Sequence, residues 1–268
     1  MVRATPGRGP TATMEQMQRW QQRTTYTEIP EGRDGHMVRV IGGWLQSVVV
    51  RALRDTTPPG RVIDIGCGAQ PLRTLVESEG ATYVGFDVEQ NAQASVAIIG
   101  SIDRGLPVPW PDAHHVYDVV LCTEVLEHVA DWDIAFMNLR SLVAPRGRII
   151  MTVPFVFPLH MEPLDYFRAT PHAIERLAGR HHFAIDELLR LGNARDVIAT
   201  TLDDVSILPD QPTLVPRIAA RVLRTGRKWL VKLIQRDALW ARVRVNSNTY
   251  LSNAVVLRPL DPASGERG

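Results

Sequence analysis

The sequence predicts an α/β protein whose strands form a doubly wound, mostly parallel sheet. Short runs rich in β-branched residues alternate with segments of helical periodicity, and this alternation places helices on both faces of a sheet. The run RVIDIGC at 61–67 is largely apolar, as expected of a parallel strand that is buried on both faces. Further runs lie at 82–88, 95–103, 117–123 and 147–155, and strand-like runs at 183–191 and 249–258 complete the predicted sheet.

The segments between these runs carry helix signals. Apolar residues recur at helical spacing from Met37 to Arg54, which predicts an amphipathic helix. Residues 71–79 fit a helix with proline in its first turn, and residues 124–143 are predicted to be helical. Thr170 and Pro171 suit the cap and the first position of a further helix.

The chain divides into three parts by composition and pattern. Residues 1–13 are rich in Gly, Pro and Thr, which predicts a disordered tail, and they lack the apolar core of a signal peptide. Residues 14–56 are expected to form a helical N-terminal lid. Residues 57–268 hold the main domain, with a basic helical cap inserted at about 195–247, before the last strand.

The composition is that of a soluble globular protein, and it excludes several classes. The chain has 268 residues, 45% of them hydrophobic and 22% charged, with a net charge of +1. No run approaches the ~18 apolar residues of a membrane-spanning helix. The two cysteines, Cys67 and Cys122, supply neither a disulfide framework nor a structural zinc site, and we expect two small buried thiols. A cytoplasmic enzyme domain is the leading class.

One segment departs from this even charge. Residues 214–247 contain nine basic residues against the single acidic residue Asp237, and apolar residues that include Trp229 and Trp240 recur alongside them. A basic amphipathic helix of this kind can lie on an anionic membrane surface. The alternative is a substrate-side cap that packs its apolar face on the sheet domain and leaves its arginines in solvent.

The turn after the first predicted strand carries a ligand-binding signal. Asp64 precedes Gly66 and Gly68, two glycines that let the backbone turn tightly and approach a bound molecule. A dinucleotide fingerprint needs a third glycine where this sequence has Pro71, and no lysine follows a tyrosine by four residues as short-chain reductases require. A nicotinamide-dependent oxidoreductase is therefore the disfavoured alternative among enzymes. Asp64 is placed to hold an ammonium group directly or through water.

Acidic residues also end the next two predicted strands. Asp87 lies 23 residues after Asp64, a spacing suited to a carboxylate that accepts hydrogen bonds from both hydroxyls of a ribose. Asp103 ends the third strand, where it could accept a hydrogen bond from an adenine amine, with helix capping as the alternative. The carboxyl ends of parallel strands share one edge of the sheet, so these residues are expected to lie together.

Taken in order, the motifs DIGCG, GFD, GSID, YDVVLCTEVLEHV and LVAPRGRIIMTVPF resemble those of class I S-adenosylmethionine-dependent methyltransferases. Within that class the chain resembles the broad small-molecule "type 11" group, over about residues 60–190. The resemblance implies a Rossmann-like methyltransferase fold with a seven-stranded sheet whose last strand is antiparallel. It also implies S-adenosylmethionine as the cofactor of the methyltransferase domain at 57–268.

The resemblance also implies roles for single residues. The methionine portion of the cofactor would be surrounded by Asp64, Gly66, Cys67 and Gly68. Ribose binding would fall to Asp87, packing on the adenine to Val88, and the adenine edge to Ile102 and Asp103. The fourth strand end would contribute Thr123 and Glu124. Gln70 stands near the position at which the family often has a third glycine.

Two histidines are candidate catalytic residues. Methyl transfer to a weakly acidic acceptor needs alignment, exclusion of water and removal of a proton, so one or two side chains are expected beyond the fourth and fifth strands. His128 follows Glu124 by four residues, and a structural packing role is its alternative. His160 lies in an apolar, aromatic loop after the fifth strand that suits a substrate pocket. Five further histidines, His114, His115, His172, His181 and His182, are expected on the surface or in loops.

No metal site is predicted, because Glu127 and His128 are adjacent and cannot share a helical face as an i, i+4 pair of ligands does. Nucleic acid is not expected as a partner, since the fourth strand ends in CTEV and lacks the Asn-Pro-Pro-Tyr type of motif.

The sequence thus predicts S-adenosylmethionine-dependent methyl transfer to an oxygen, less readily a nitrogen, of a small-molecule, sugar or lipid-linked acceptor. The alternative is a non-catalytic, cofactor-binding regulatory protein attached to a membrane through residues 214–247. The sequence leaves the acceptor and the oligomeric state open.

Overall fold

The computed structural model describes residues 26, 32–106, 117–207, 213–240, 242–243 and 248–260. Seven strands form one sheet: β1 (Arg61–Ile65), β2 (Thr82–Asp87), β3 (Ile98–Ile99), β4 (Tyr117–Thr123), β5 (Val143–Pro154), β6 (Phe183–Leu191) and β7 (Ser252–Pro259). Their order is β3-β2-β1-β4-β5-β7-β6, and β7 alone in this sheet runs antiparallel to both of its neighbours. The predicted doubly wound, mostly parallel seven-stranded sheet is confirmed.

Helices cover both faces of this sheet. They are α1 (Arg33–Arg54), α2 (Arg73–Ser78), α3 (Trp132–Leu142), α4 (Pro171–Arg180), α5 (Ala194–Asp204), α6 (Leu214–Ile234) and α7 (Asp237–Trp240), with a 3₁₀ turn at Leu126–His128. One apolar core lies between the sheet and α3 and α4, and a second lies under α1. None of the described helices is both long enough and apolar enough to cross a membrane.

The N-terminal helix α1 is a layer of the fold. Its residues Ile41, Leu45 and Val49 are fully buried against the sheet, and the burial of each such side chain stabilises the fold by about 1.5–3 kcal/mol. His36 at its start is also buried, with Nε2 2.8 Å from an Asp203 carboxylate oxygen of α5. Of the predicted lid at 14–56, residues 33–54 thus pack in the core, whereas 14–25, like the predicted tail at 1–13, lie outside the described residues.

The third strand is much shorter than predicted. Only Ile98 and Ile99 pair with β2, instead of the whole run at 95–103. Side chains of the preceding loop bind the backbone in place of a strand ladder, since Gln90 Oε1 accepts from the amide of Val96 at 2.8 Å. Hydrogen bonds from polar side chains of the loop therefore shorten β3, and the strand propensity of the residues at 95–103 does not predict this effect.

The predicted helix at 124–143 is interrupted, and this interruption builds the site. Glu124 adopts a left-handed φ of 55°, and the chain makes a 3₁₀ turn and an extended stretch before α3. Asp131 caps α3, accepting a hydrogen bond from the amide of Ile134 at 3.0 Å. The fifth strand also differs from the prediction, because β5 begins at Val143, which pairs with Tyr117 before an irregularity in the ladder.

Three helices lie between β6 and β7, where the cap was predicted. In α6 only Ala220 and Val231 are buried, whereas Val215 is 75% exposed and Trp229 is 65% exposed. The expectation that this helix packs its apolar face on the sheet domain is therefore wrong for the part of the chain that the structure describes.

Candidate active site

One cavity of about 250 Å³ lies at the carboxyl ends of β1, β2 and β4. All but one of the residues predicted for the site line it. These are Asp64, Gly66, Cys67, Gly68, Asp87, Val88, Ile102, Thr123, Glu124, His128 and His160. The exception among the predicted residues is Asp103. The strand order thus brings together residues that are up to 96 positions apart between Asp64 and His160, as expected where the order of a doubly wound sheet reverses.

The loop after β1 needs its glycines for steric reasons. Gly66 has φ 68°, and a Cβ atom there would lie 2.3 Å from Cγ2 of Val125. The amides of Gly66 and Cys67 both donate to the carbonyl of Phe86, at 2.8 and 3.1 Å. These bonds hold the loop against the end of β2, so its backbone forms one wall of the cavity.

Gln70 takes over the role of the missing third glycine. It adopts φ 60°, a left-handed conformation in which a non-glycine residue is strained. Its buried side-chain amide donates to the carbonyl of Ser95 at 2.8 Å. This bond anchors the loop from beneath, so the substitution preserves the turn.

Asp87 ties the loop to β2. Its Oδ2 accepts a hydrogen bond from the amide of Gly68 at 2.8 Å, and its Oδ1 accepts one from the amide of Val88 at 2.7 Å. Burial raises the pKa of this carboxyl, while the two backbone bonds act against that rise. Val88 is 64% exposed and borders the cavity, so an apolar surface lies beside a hydrogen-bonding carboxylate.

Asp64 lies almost completely buried at the base of the cavity. The hydroxyl of Tyr83 donates to its Oδ2 at 2.6 Å, a contact that the sequence did not reveal. Burial raises the pKa of Asp64 to about 7, and the Tyr83 hydrogen bond opposes this rise. Asp64 pairs with Gly85 of β2, and Tyr83 lies on the same face of the sheet as Gly85, because side chains alternate along a strand. The register between β1 and β2 was therefore the signal that could have predicted this contact.

Asp103 is engaged inside the protein. Its Oδ1 accepts from the hydroxyl of Ser101 at 2.5 Å, and its Oδ2 accepts from the amide of Ala130 at 3.1 Å. These hydrogen bonds lower its pKa in spite of partial burial. The carboxylate thus holds the chain just before α3, whose own cap is Asp131, and its contact with an adenine amine stays a prediction. Adjacent Ile102 borders the cavity instead.

The end of β4 supplies polar groups to the same cavity. The side chain of Glu124 accepts a hydrogen bond from Ser252 of β7 at 3.0 Å, and its positive φ turns the chain away from the strand. Burial raises the pKa of this carboxyl, and the nearby carboxyl of Glu127 adds to the rise. The hydroxyl of Tyr26 lies 3.3 Å from that of Thr123 and also borders the cavity.

The two candidate catalytic histidines are in direct contact. His128 Nε2 and His160 Nε2 lie 3.1 Å apart, with the rings edge to face. His128 Nδ1 lies 2.8 Å from the carbonyl oxygen of Leu164, and His160 Nδ1 lies 3.2 Å from that of Pro158. Because a carbonyl can only accept, both Nδ1 atoms carry hydrogen, and the Nε2 lone pairs point toward each other.

A carboxylate that was not among the predicted site residues completes this group. Glu127 is fully buried, and its Oε1 lies 3.7 Å from His128 Nε2 and 3.8 Å from His160 Nε2. The spacing argument against a metal site considered a helix, but a 3₁₀ turn and the loop after β5 bring the three side chains together. The spacing argument therefore does not cover this group, and the signal that could have found the group is the separate polar loop residue His160.

His172 and both cysteines lie as predicted, whereas the side chain of His181 is mostly buried beside the ring of Phe136. His172 is exposed beside Glu175, and His181 Nε2 lies 2.8 Å from a carboxylate oxygen of Asp133. Cys67 and Cys122 are buried free thiols, and burial raises the pKa of each. His114 and His115 lie outside the described residues.

Residues 40–196, more than half of the chain, match the methyltransferase domain family. Ubiquinone biosynthesis O-methyltransferases are similar over a shorter stretch. The one from Vibrio cholerae is 33% identical over 101 residues, which cover 34% of this chain and 41% of that protein. The one from Aeromonas salmonicida is 31% identical over 118 residues, which cover 40% of this chain and 46% of that protein. The chain thus spans less than half the length of these relatives.

A solved structure agrees with the fold. A protein from Galdieria sulphuraria, solved as a candidate sarcosine dimethylglycine methyltransferase, superposes with a TM-score of 0.50 and 14% identity. The similarity covers 82% of this chain and 86% of that one. At this level of identity the superposition supports the fold alone.

Proposed function

The chain belongs to the methyltransferase domain family of class I S-adenosylmethionine-dependent enzymes, and on this basis we propose that it transfers a methyl group to an oxygen atom of a small-molecule acceptor. The observation that carries the proposal is the cavity itself. The loop after β1 and Asp87 line this cavity, and His128 and His160 line the same cavity.

The chain's own residues fit the cofactor of this family. The carboxylate of Asp87 would accept from the ribose hydroxyls, and the exposed apolar side chain of Val88 would lie against the adenine. Buried Asp64 would hold the ammonium group, and Gly66 leaves the space beside Val125 that a Cβ atom would fill. When bound, S-adenosylmethionine supplies an electrophilic methyl group and retains the electrons of the broken C–S bond as S-adenosylhomocysteine.

The histidine pair would act on the acceptor. A hydroxyl oxygen is a weak nucleophile until it loses its proton, and the C–O bond forms as that proton leaves. His128 and His160 both line the cavity, and one Nε2 atom can take this proton and then donate it in a hydrogen bond to the other Nε2 atom, 3.1 Å away. Burial lowers the pKa of His160, so that the ring stays neutral and able to accept a proton near pH 7.

The similar enzymes favour oxygen as the acceptor atom. The relatives in Vibrio cholerae and Aeromonas salmonicida are O-methyltransferases of ubiquinone biosynthesis, and an acceptor of that kind agrees with a base beside the cavity. Coverage of less than half of each relative leaves the acceptor to be found by screening.

Calorimetric titration with S-adenosylmethionine and S-adenosylhomocysteine tests the proposal. We expect micromolar binding that weakens at least about tenfold in Asp87→Asn, which can still accept from Gly68 but loses the charge. Glu175→Gln, an exposed carboxylate of α4 that does not line the cavity, is the matched control. An acceptor screen that detects S-adenosylhomocysteine then follows. Binding without turnover on any acceptor would favour the regulatory alternative, and no binding of either ligand would refute the cofactor assignment.

We also propose that α6 makes peripheral contact with an anionic membrane surface. Its apolar side chains Val222, Trp229 and Leu233 are 63%, 65% and 47% exposed, and arginines and lysines line the adjacent stripe of the helix. An exposed apolar face beside a basic stripe is the pattern of helices that lie in the membrane interface. This contact would bring a lipid-linked acceptor near the chain.

Flotation with vesicles of stated composition tests this contact. With 30% phosphatidylserine, we expect the triple variant of Arg217, Arg221 and Arg224 to glutamine to bind about 100-fold more weakly, at about 1 kcal/mol per basic residue. The control changes three exposed arginines elsewhere, which are Arg104, Arg146 and Arg176. Equal flotation of both triple variants, or no dependence on salt, would contradict the proposal.

A further inference from the structure

We propose that Glu127, His128 and His160 form a binding site for a divalent transition-metal ion in the wall of the cavity. Each contributes one ligand atom, and these atoms lie within 4.8 Å of one another. Two imidazoles and one carboxylate suit Zn²⁺, Fe²⁺ or Mn²⁺.

The tautomers of the two histidines point to a cation. Both Nδ1 hydrogens are committed to the carbonyl oxygens of Leu164 and Pro158. Each neutral ring therefore directs a lone pair from Nε2, and the two Nε2 atoms are 3.1 Å apart. Two lone pairs that face each other repel, and a positive ion beside both of them removes this repulsion.

Glu127 supplies the second, independent observation. Its side chain is fully buried beside the histidines, and neither of its oxygens accepts a hydrogen bond from any described residue. A buried carboxylate without hydrogen bonds is costly unless a cation compensates for it. The charge of Arg168 also acts on Glu127, but its guanidinium makes bonds of 2.5 and 2.7 Å to the two oxygens of Asp165 and no hydrogen bond to Glu127.

A shared proton explains these observations less well than a metal ion. A proton between the two Nε2 atoms would relieve their repulsion. It would, however, leave both oxygens of Glu127 without a partner at hydrogen-bonding distance, because the nearer oxygen lies 3.7 and 3.8 Å from the two Nε2 atoms. A metal ion satisfies all three side chains together.

The distances and the surrounding contacts agree with metal binding. The three ligand separations are 3.1, 3.7 and 3.8 Å. Bonds of about 2.1 Å place tetrahedral ligands about 3.4 Å apart. The carboxylate of Asp165 lies 3.3 Å from His160 Nδ1, and metal-binding histidines commonly donate to a carboxylate or carbonyl in this way.

The ion would face the methyl acceptor, and this part of the inference rests on the proposed function. His128 and His160 both line the cavity, so open coordination positions would be directed into it. An acceptor hydroxyl bound there would have its pKa lowered by the ion and would release its proton to water. The ion would then replace the histidines as the group that activates the acceptor, because an Nε2 atom that binds metal cannot also take a proton.

Metal content and Co²⁺ titration of the full chain test the site directly. After removal of metal by a chelator, we expect one equivalent of Co²⁺ to bind with a visible absorption band, and Zn²⁺ to displace it. The variants Glu127→Gln and His160→Gln should lose at least about tenfold in affinity. His172→Gln, at an exposed position, is the matched control and should bind as the wild type does.

Thermal unfolding separates loss of ligands from loss of folding. Metal at about 100 times its Kd should raise the wild-type Tm by about 5–10 °C and leave that of Glu127→Gln unchanged. The metal-free forms of the two should melt at similar temperatures. Wild-type protein without stoichiometric metal, or equal affinity in Glu127→Gln, would overturn the site. S-adenosylmethionine titration of the same samples tells a failure of the metal site from a failure of the proposed function.

Discussion

The glycine at the start of the cofactor loop makes a quantitative prediction. In Gly66→Ala the new methyl group meets two separate costs. A left-handed φ of 68° costs an alanine about 1–2 kcal/mol, and a Cβ atom 2.3 Å from Cγ2 of Val125 forces overpacking worth about 1–3 kcal/mol. We therefore expect the free energy of unfolding to fall by about 2–5 kcal/mol.

Gly80→Ala provides the matched control for this prediction. Gly80 has φ 80°, and no described atom lies within 4 Å of a Cβ built on it, so the control meets the conformational cost alone. Urea denaturation of both variants isolates the steric cost as their difference. A second variant, Val125→Ala in the Gly66→Ala background, should recover part of it in a double-mutant cycle. Equal destabilisation at the two glycines, or no recovery, would refute the steric explanation.

The affinity for S-adenosylmethionine should weaken at least about tenfold in Gly66→Ala and change little in Gly80→Ala. Only the substitution at Gly66 displaces the wall of the cavity.

Four further predictions concern the site and its supports. Because burial raises the pKa of Asp64 to about 7, the affinity for the cofactor should rise as the pH increases through 7. Tyr83→Phe removes a hydrogen bond that opposes this rise in pKa, so the midpoint of the affinity change, measured by calorimetric titration, should move to higher pH. An unchanged midpoint would contradict this explanation. Asp64 keeps its proton to a higher pH in the folded state than in the unfolded state, so the free energy of unfolding should fall as the pH rises from about 4 to about 7. Urea denaturation measures this pH dependence, which should be absent in Asp64→Asn. Asp131→Ala should cost about 1 kcal/mol through loss of the α3 cap, and Asp131→Asn much less. His36→Ala should speed proteolysis within the cap, because it releases the contact with Asp203 that joins α1 to α5, and an unchanged cleavage rate would refute that role.

The sequence predicted the sheet well where a strand is buried on both faces. The runs that became β1 and β4 are largely apolar and rich in β-branched residues, and almost all of their residues are buried. It failed where side chains compete with the ladder, as Gln90 does before β3. It also failed at residues 124–131, whose apolar spacing is helical although Asp131 marks the true start of α3.

For the site, residues on strand ends were predictable and residues in loops were not. Asp64 and Asp87 follow from the strand order, because parallel strands end at one edge. The contact between Glu127 and His160 depends on the paths of two irregular loops, whose histidines, His128 and His160, are 32 residues apart in the sequence. No local sequence pattern predicts this contact. The contact of Tyr83 with Asp64 depends on the register between β1 and β2, which becomes readable only once the strands are paired.

Backbone strain connects these loops to the chemistry. Gln70, Glu124 and Met161 have φ values of 60°, 55° and 54°, and a non-glycine residue held in this region costs about 1–3 kcal/mol. Glu124 and Met161 line the cavity, and Gln70 supports the loop that forms its wall. Helix continuity after β4 would avoid the strain at Glu124, whereas the observed turn leads into the 3₁₀ segment that holds Glu127 and His128 beside His160. The fold therefore retains a costly conformation at the position that brings the carboxylate and both histidines to one point, as expected where function rather than stability sets the backbone.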